Sequence, residues 1–180
     1  MPPSPLGFYA ASKLAAERAC LRAHARMGAD VVIARLFTVF GPGQRPDMAF
    51  ARWIQSITSG LPVLWCAARE TRRELTYVAD AVAGLVAALE RGRAGEVYNV
   101  AGSGSTPLRH ALGLLEEMLG RAAVVRHRGP SPCEAVATAA CGKKSARELG
   151  YRPVFSFKQG LERQLAAAVD EPDGSRATAR

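Results

Sequence analysis

The sequence predicts an α/β fold, and three observations carry that prediction. Helix-patterned runs alternate with short apolar runs along most of the 180 residues, as in chains built from strand–helix units. Residues 30–37, Asp-Val-Val-Ile-Ala-Arg-Leu-Phe, are apolar almost without a break, the pattern of a strand covered on both faces in a parallel sheet. Glycines and prolines stand where one run gives way to the next, as turns demand.

In chain order, residues 9–27 are Ala-rich, with Leu14, Ala15, Cys20, Leu21 and Ala25 at helical spacing before Gly28. The strand at 30–37 follows, then a Gly/Pro loop at 41–46. Residues 49–58 read as a helix stopped at Gly60, and 62–65 as a short strand. A brief extended piece at 74–77 leads into a long helix over 78–90. Residues 96–100 form another strand, closed by Gly102 and Gly104. Thr106-Pro107 opens a helix to 119 with proline at its first position. A basic strand at 122–126 precedes an irregular stretch through Pro132. Helices at 143–149 and 157–169 come last, before a polar tail over 170–180 that is expected to be disordered.

Composition is that of an ordinary globular protein, 48% hydrophobic and 22% charged, with a net charge of +8. Twenty of the basic residues are Arg and four are Lys. Guanidinium groups suit phosphate, but these are scattered and not interleaved with aromatics, which argues against a nucleic-acid platform. The cysteines at 20, 66, 133 and 141 lack close-paired spacing, and the three histidines lie far from any matching set; no metal site is expected. Met-Pro-Pro-Ser-Pro is no secretory signal and no apolar stretch is long enough to span a bilayer, so a cytoplasmic location is expected.

Chemistry concentrates in Tyr9-Ala-Ala-Ser-Lys13. Side chains four apart on a helix share one face, about a turn from each other. There an ammonium stabilises a phenolate, the state a proton-transfer residue requires. A solvated pair at this spacing is common, so the rest of the chain has to decide its meaning.

Four stretches, in order, decide it: Tyr9-Ala-Ala-Ser-Lys-Leu-Ala-Ala-Glu17; Arg35-Leu-Phe-Thr-Val-Phe-Gly-Pro42 with Gln44-Arg-Pro-Asp-Met-Ala49; Arg73-Glu-Leu-Thr-Tyr-Val-Ala-Asp80; and Tyr98-Asn-Val-Ala-Gly102 with Ala146-Arg-Glu-Leu-Gly-Tyr-Arg-Pro153. Together they resemble the C-terminal half of an extended short-chain dehydrogenase/reductase, of the NAD-dependent nucleotide-sugar epimerase/dehydratase kind. The resemblance implies an incomplete Rossmann-like parallel sheet plus a small α/β substrate-binding region. Residues 1–45 would be the remainder of the NAD-binding domain, and 46–169 mostly sugar-nucleotide binding, with 78–100 returning to the sheet. Tyr9 and Lys13 would be catalytic and would also touch NAD, as would Phe37. Thr38, Arg45, Arg73 and Asn99 would face the sugar nucleotide, Arg73 gripping its diphosphate. Asp80 reads better as a structural acid in a helix first turn.

Departures accompany the matches. No glycine-rich strand–turn–helix unit for a pyrophosphate occurs in the sequence, and Gly102-Ser-Gly104 lacks both the third glycine and the right order of elements. The family's upstream Ser/Thr is absent. Thr38 stands where the family usually has asparagine, Ala67-Ala-Arg69 replaces a Gly-Asp-Gly turn, and Ala79 and Cys141 occupy positions that are typically Asp. The resemblance therefore implies a UDP- or dTDP-sugar epimerase or dehydratase that needs its dinucleotide half from elsewhere. The alternative is a non-catalytic, truncated relative that binds sugar nucleotide or pairs with a full-length one. A homo-oligomer or such a pairing is expected, because the strand at 30–37 would leave an open edge.

Overall fold

The computed structural model describes residues 3–129 and 135–170. The tail expected to be disordered lies, past residue 170, outside the described residues.

The first helix, α1 (Gly7–Met27), ends where Gly28 turns left-handed at φ 66° and returns its N–H to the His24 carbonyl at 2.9 Å. None of its residues is buried. Strand β1 (Ile33–Leu36) pairs in parallel with β6 (Val97–Val100), Ile33 opposite Val97 and Leu36 opposite Val100. The next short strand, β2 (Val39–Phe40), pairs in parallel with β5 (Thr76–Tyr77). Helix α3 (Val78–Arg91) carries the chain from β5 to β6. It packs so closely that a Cβ on Gly84 would lie 2.3 Å from a Val100 methyl; only glycine fits there.

Two further pairs complete the backbone plan. Strand β3 (Val63–Trp65) runs parallel to β8 (Val125–His127), and β4 (Arg72–Glu74) antiparallel to β7 (Ser105–Pro107). Helices α2 (Ala49–Ser59), α4 (Leu108–Leu119) and α6 (Phe157–Asp170) surround the larger core of Phe40, Phe50, Trp53, Ile57, Val63, Trp65, Leu115 and Leu161. Its aromatics meet edge-on or stacked, Trp53 on Trp65 at 5.6 Å, contacts that add to simple burial. A smaller core joins Tyr98 and Val100 of β6 to Ala87 and Ala88 of α3 and to Leu149 and Tyr151. Helix α5 (Lys143–Glu148) closes it, with Glu148 accepting from Arg93 and from the Tyr98 hydroxyl.

The expected α/β class is present, with parallel β1–β6 and β2–β5 pairs, and the elements fall in the expected order. Three details differ. The strand expected over 30–37 spans four residues, which are half-buried or exposed, because only β6 lies beside it among the described residues. Thr106 and Pro107 belong to β7, and Pro107 stands before the first turn of α4; pairing with Arg72 and Arg73 holds them extended. The strand expected over 122–126 begins later, at Val125, whose backbone pairs with Val63 and whose side chain packs against the larger core.

Candidate active site

Tyr9 and Lys13 stand together on α1. The Lys13 ammonium lies 5.4 Å from the centre of the Tyr9 ring, a cation–π distance, and Tyr9 is 77% exposed. The helix is tied down further along: Glu17 takes a two-pronged hydrogen bond from Arg35 of β1, its Nε at 2.8 Å. That bond holds the Glu17 carboxyl below its usual range against a partial desolvation that acts the other way. At the far end the His24 ring meets the Ala29 carbonyl at 2.9 Å. The Glu17–Arg35 clasp therefore ties to β1 a helix that has no buried face.

Phe37 and Thr38 follow β1 at its C-terminal end, the end where ligands collect in open α/β sheets. The Phe37 N–H donates to Val100 O at 3.2 Å, and Thr38 O accepts from Thr76 N at 2.9 Å, so both pairs of parallel strands fix this corner. The loop beyond β2 carries Arg45, whose guanidinium forks onto Asp47 at 3.0 and 2.7 Å. That carboxylate raises the Arg45 pKa, and Tyr9 adds a smaller push in the same direction. Tyr9 and Arg45 thus share one electrostatic neighbourhood.

Arg73 lies elsewhere, on β4. Its guanidinium donates to the carbonyls of Arg72 at 3.0 Å and Ala135 at 2.7 Å, against a segment that runs beside β4 through Arg72 N–Val136 O and Thr138 N–Arg72 O bonds. Asn99 uses its amide on the Cys141 carbonyl at 3.2 Å, and its own carbonyl accepts the Ser145 hydroxyl at 2.6 Å, which docks α5 on β6. The structural reading of Asp80 gains a partner that spacing did not reveal: its buried carboxylate accepts the N–H groups of Val154 and Phe155 at 3.0 and 3.2 Å. A cleft of about 370 Å³ opens at the end of β6, lined by Gly102, Gly142 and Tyr151. Tyr9 and Lys13 are outside it, because nothing among the described residues packs over that stretch of α1.

The residues present fit one end of a dinucleotide. Beside the Tyr9 phenol, Lys13 offers an exposed ammonium with no carboxylate partner among the described residues, which suits ribose hydroxyls. Gly102 offers no cradle for a diphosphate: a Cβ there would sit 1.9 Å from Leu75 O, so its missing side chain makes room for the chain's own backbone. Gly104 leads into β7, not into a helix.

Against this geometry the comparisons with known proteins are specific. The profile of the NAD dependent epimerase/dehydratase family matches residues 1–101, and the chain belongs to that family. It is 34% identical over 164 residues to an uncharacterized UDP-glucose epimerase of Bacillus subtilis (strain 168), covering 91% of this chain and 52% of that protein. With UDP-glucuronate 4-epimerase of Thermodesulfobacterium geofontis it shares 31% over 164 residues, 90% of this chain and 50% of the relative. The crystal structure of UDP-glucuronic acid 4-epimerase from Bacillus cereus with UDP-glucuronic acid and NAD superposes with a TM-score of 0.91 at 34% identity, over 94% of this chain and 55% of that one. The dTDP-glucose 4,6-dehydratase of Streptomyces venezuelae, with NAD and TYD bound, gives 0.86 at 31%, over 94% and 53%. The chain spans about half the length of the curated relatives it matches. No helix among the described residues is long and apolar enough to cross a membrane.

Proposed function

We propose that this chain carries the proton-transfer and sugar-nucleotide-binding parts of an NAD-dependent epimerase or dehydratase acting on UDP- or dTDP-linked sugars. The observation that carries the proposal is the exposed Tyr9–Lys13 stack on α1, with Arg45 in electrostatic reach. NAD, when bound, would supply the hydride acceptor for oxidation of the sugar, and Tyr9 and Lys13 are the residues that would hold its ribose end. The Tyr9 hydroxyl oxygen is the group that takes the proton of the sugar hydroxyl, and Lys13 stands beside it to hold ribose hydroxyls. Phe37 and Thr38 line the corner at the end of β1. Arg45 and Arg73 meet the negative charge of the sugar nucleotide, and Asn99 supports the same end of β6. Residues 1–45 with 78–100 form the cofactor side and 46–169 mostly the substrate side. The dinucleotide diphosphate is held by a glycine-rich unit supplied elsewhere in the enzyme or by a second polypeptide. Exposed thiols at Cys20, Cys66 and Cys141 suit a reducing cytoplasm.

Product analysis tests this. The chain, NAD and a panel of UDP- and dTDP-sugars are incubated with and without a separately expressed glycine-rich half of a relative. An epimer or 4-keto sugar formed only with that half is the expected outcome. Absence of any product and of any nucleotide-sugar binding would end the proposal.

A second reading, pairing with a relative without turnover, is favoured by α1 itself. Phe8 is 96% exposed on a helix with no buried residue, which suits a partner helix. Light scattering behind size exclusion checks it: a monomer that mixes with no relative contradicts it.

A further inference from the structure

The loop that carries Arg45 is held by a chain of two side-chain amides. Gln44 Oε1 accepts the Ala51 backbone N–H at 3.1 Å and also Gln164 Nε2 at 3.1 Å, while Gln44 Nε2 donates to Val39 O at 3.1 Å. Gln164 lies on α6 and is 5% exposed. It reaches the loop because α6 comes down hard on the strands beneath: a Cβ on Gly160, one turn earlier, would lie 2.7 Å from the Tyr77 ring and 2.8 Å from Phe40.

These bonds fix both amides. A backbone N–H can only donate, so Gln44 presents oxygen to Ala51, and Gln164 therefore presents its NH₂ to Gln44. Gln164 Oε1 is then left buried with no hydrogen-bond partner among the described residues, an arrangement that costs folding free energy. An unbranched apolar side chain of similar length would spare that cost. Glutamine at 164 is a poor choice for the core alone, and what it supplies in return is a donor for Gln44.

We propose that Gln164 is a positioning residue that acts through Gln44 to set the loop that carries Arg45. It rests on the reading of Arg45 as substrate-facing. The loop's other ties are Gln44 N to Gly41 O, Met48 N to Arg45 O and the exposed fork of Arg45 on Asp47. The amide chain links the loop to β2, α2 and α6 at once.

The test is Gln164→Met in the full chain, read by melting temperature, by amide exchange of Gln44, Arg45, Asp47 and Met48, and by affinity for UDP-glucuronic acid. The melting temperature should hold or rise, since the orphaned oxygen is gone. Exchange in the loop should quicken about tenfold for the lost hydrogen bond, and UDP-glucuronic acid should bind more weakly. Gln164→Glu, which puts an acceptor where a donor is required, should loosen the loop in the same way. Unchanged loop exchange in both variants overturns the proposal, as does a lower melting temperature with unchanged UDP-glucuronic acid affinity. Should the unaltered chain bind no UDP-glucuronic acid, the functional reading fails, while the loop exchange alone still decides the role of Gln164.

Discussion

Around Phe40, Phe50, Trp53 and Trp65 the chain closes on itself, whereas around β1 and α1 it stays open. In the first region three helices and six ring contacts bury side chains almost completely. In the second, β1 has a neighbour on one edge only among the described residues, α1 buries nothing, and α3 turns Val82, Leu85, Val86 and Leu89 to the outside. Strand alternation sends the N–H groups of Val32, Ala34 and Leu36 away from β6, since Ile33 and Phe37 donate to it. One region is a finished core; the other leaves an apolar face and a strand edge exposed. The difference puts the proposed chemistry on the open side, where Tyr9 and Lys13 are exposed.

The largest effect expected from this contrast is on stability. Trp53→Ala should cost about 3–5 kcal/mol in denaturant unfolding, as large core deletions do. Leu89→Ala, at a side chain 85% exposed, should stay within about 0.5 kcal/mol. A comparable loss at Leu89 would show that the open face is covered in solution. Next comes Asp80→Ala, which strands the N–H groups of Val154 and Phe155; because Val154 is largely exposed, the pair should cost roughly 1–3 kcal/mol together, and a chevron or urea titration should find a loss between those of the first two.

Hydrogen exchange sharpens the comparison at single residues. In a monomer the amides of Val32, Ala34 and Leu36 should exchange far faster than those of Tyr98 and Val100, and equal protection would contradict an open edge. The smallest effect is acid sensitivity. Hydrogen bonds from Arg147 foremost, then Arg93 and Tyr98, hold the Glu148 carboxyl at about 2 against an ordinary 4.5. Because the folded value is the lower one, its contribution is complete above 4.5 and disappears as pH falls toward about 2. Glu148→Gln should therefore flatten the loss of stability across that window, and an unaltered acid profile would remove Glu148 from the account.

Much of the fold was legible because its signals are local. Helical spacing found α1, α2, α3, α4 and α6, and the unbroken apolar run found β1. Strands as short as Val39–Phe40 and Ser105–Pro107 carry too few residues for any period to show; they exist because a partner strand lies beside them. For the site, Tyr9 and Lys13 were legible because a helix turn relates them. The clasps that orient the site were not. Glu17 and Arg35 are 18 residues apart on different elements, Asp80 and Val154 are 74 apart, and Gln44 and Gln164 are 120 apart. Glu17 belongs to the Tyr9–Glu17 stretch, and its fixed spacing from Tyr9 and Lys13 is the one hint the sequence offers. Pro107 ends β7 and does not begin the helix, because proline is equally at home at the start of a helix and at a strand end.

The most direct test of the central idea is a rate ratio. With NAD and a glycine-rich half supplied alongside, conversion of UDP-glucuronic acid is measured for the unaltered chain and for Tyr9→Phe. If the phenol moves the proton, the substitution should slow conversion about 10²–10⁴-fold, while UDP-glucuronic acid still binds. Equal rates for the two chains would contradict the assignment of Tyr9, and with it the site built around α1.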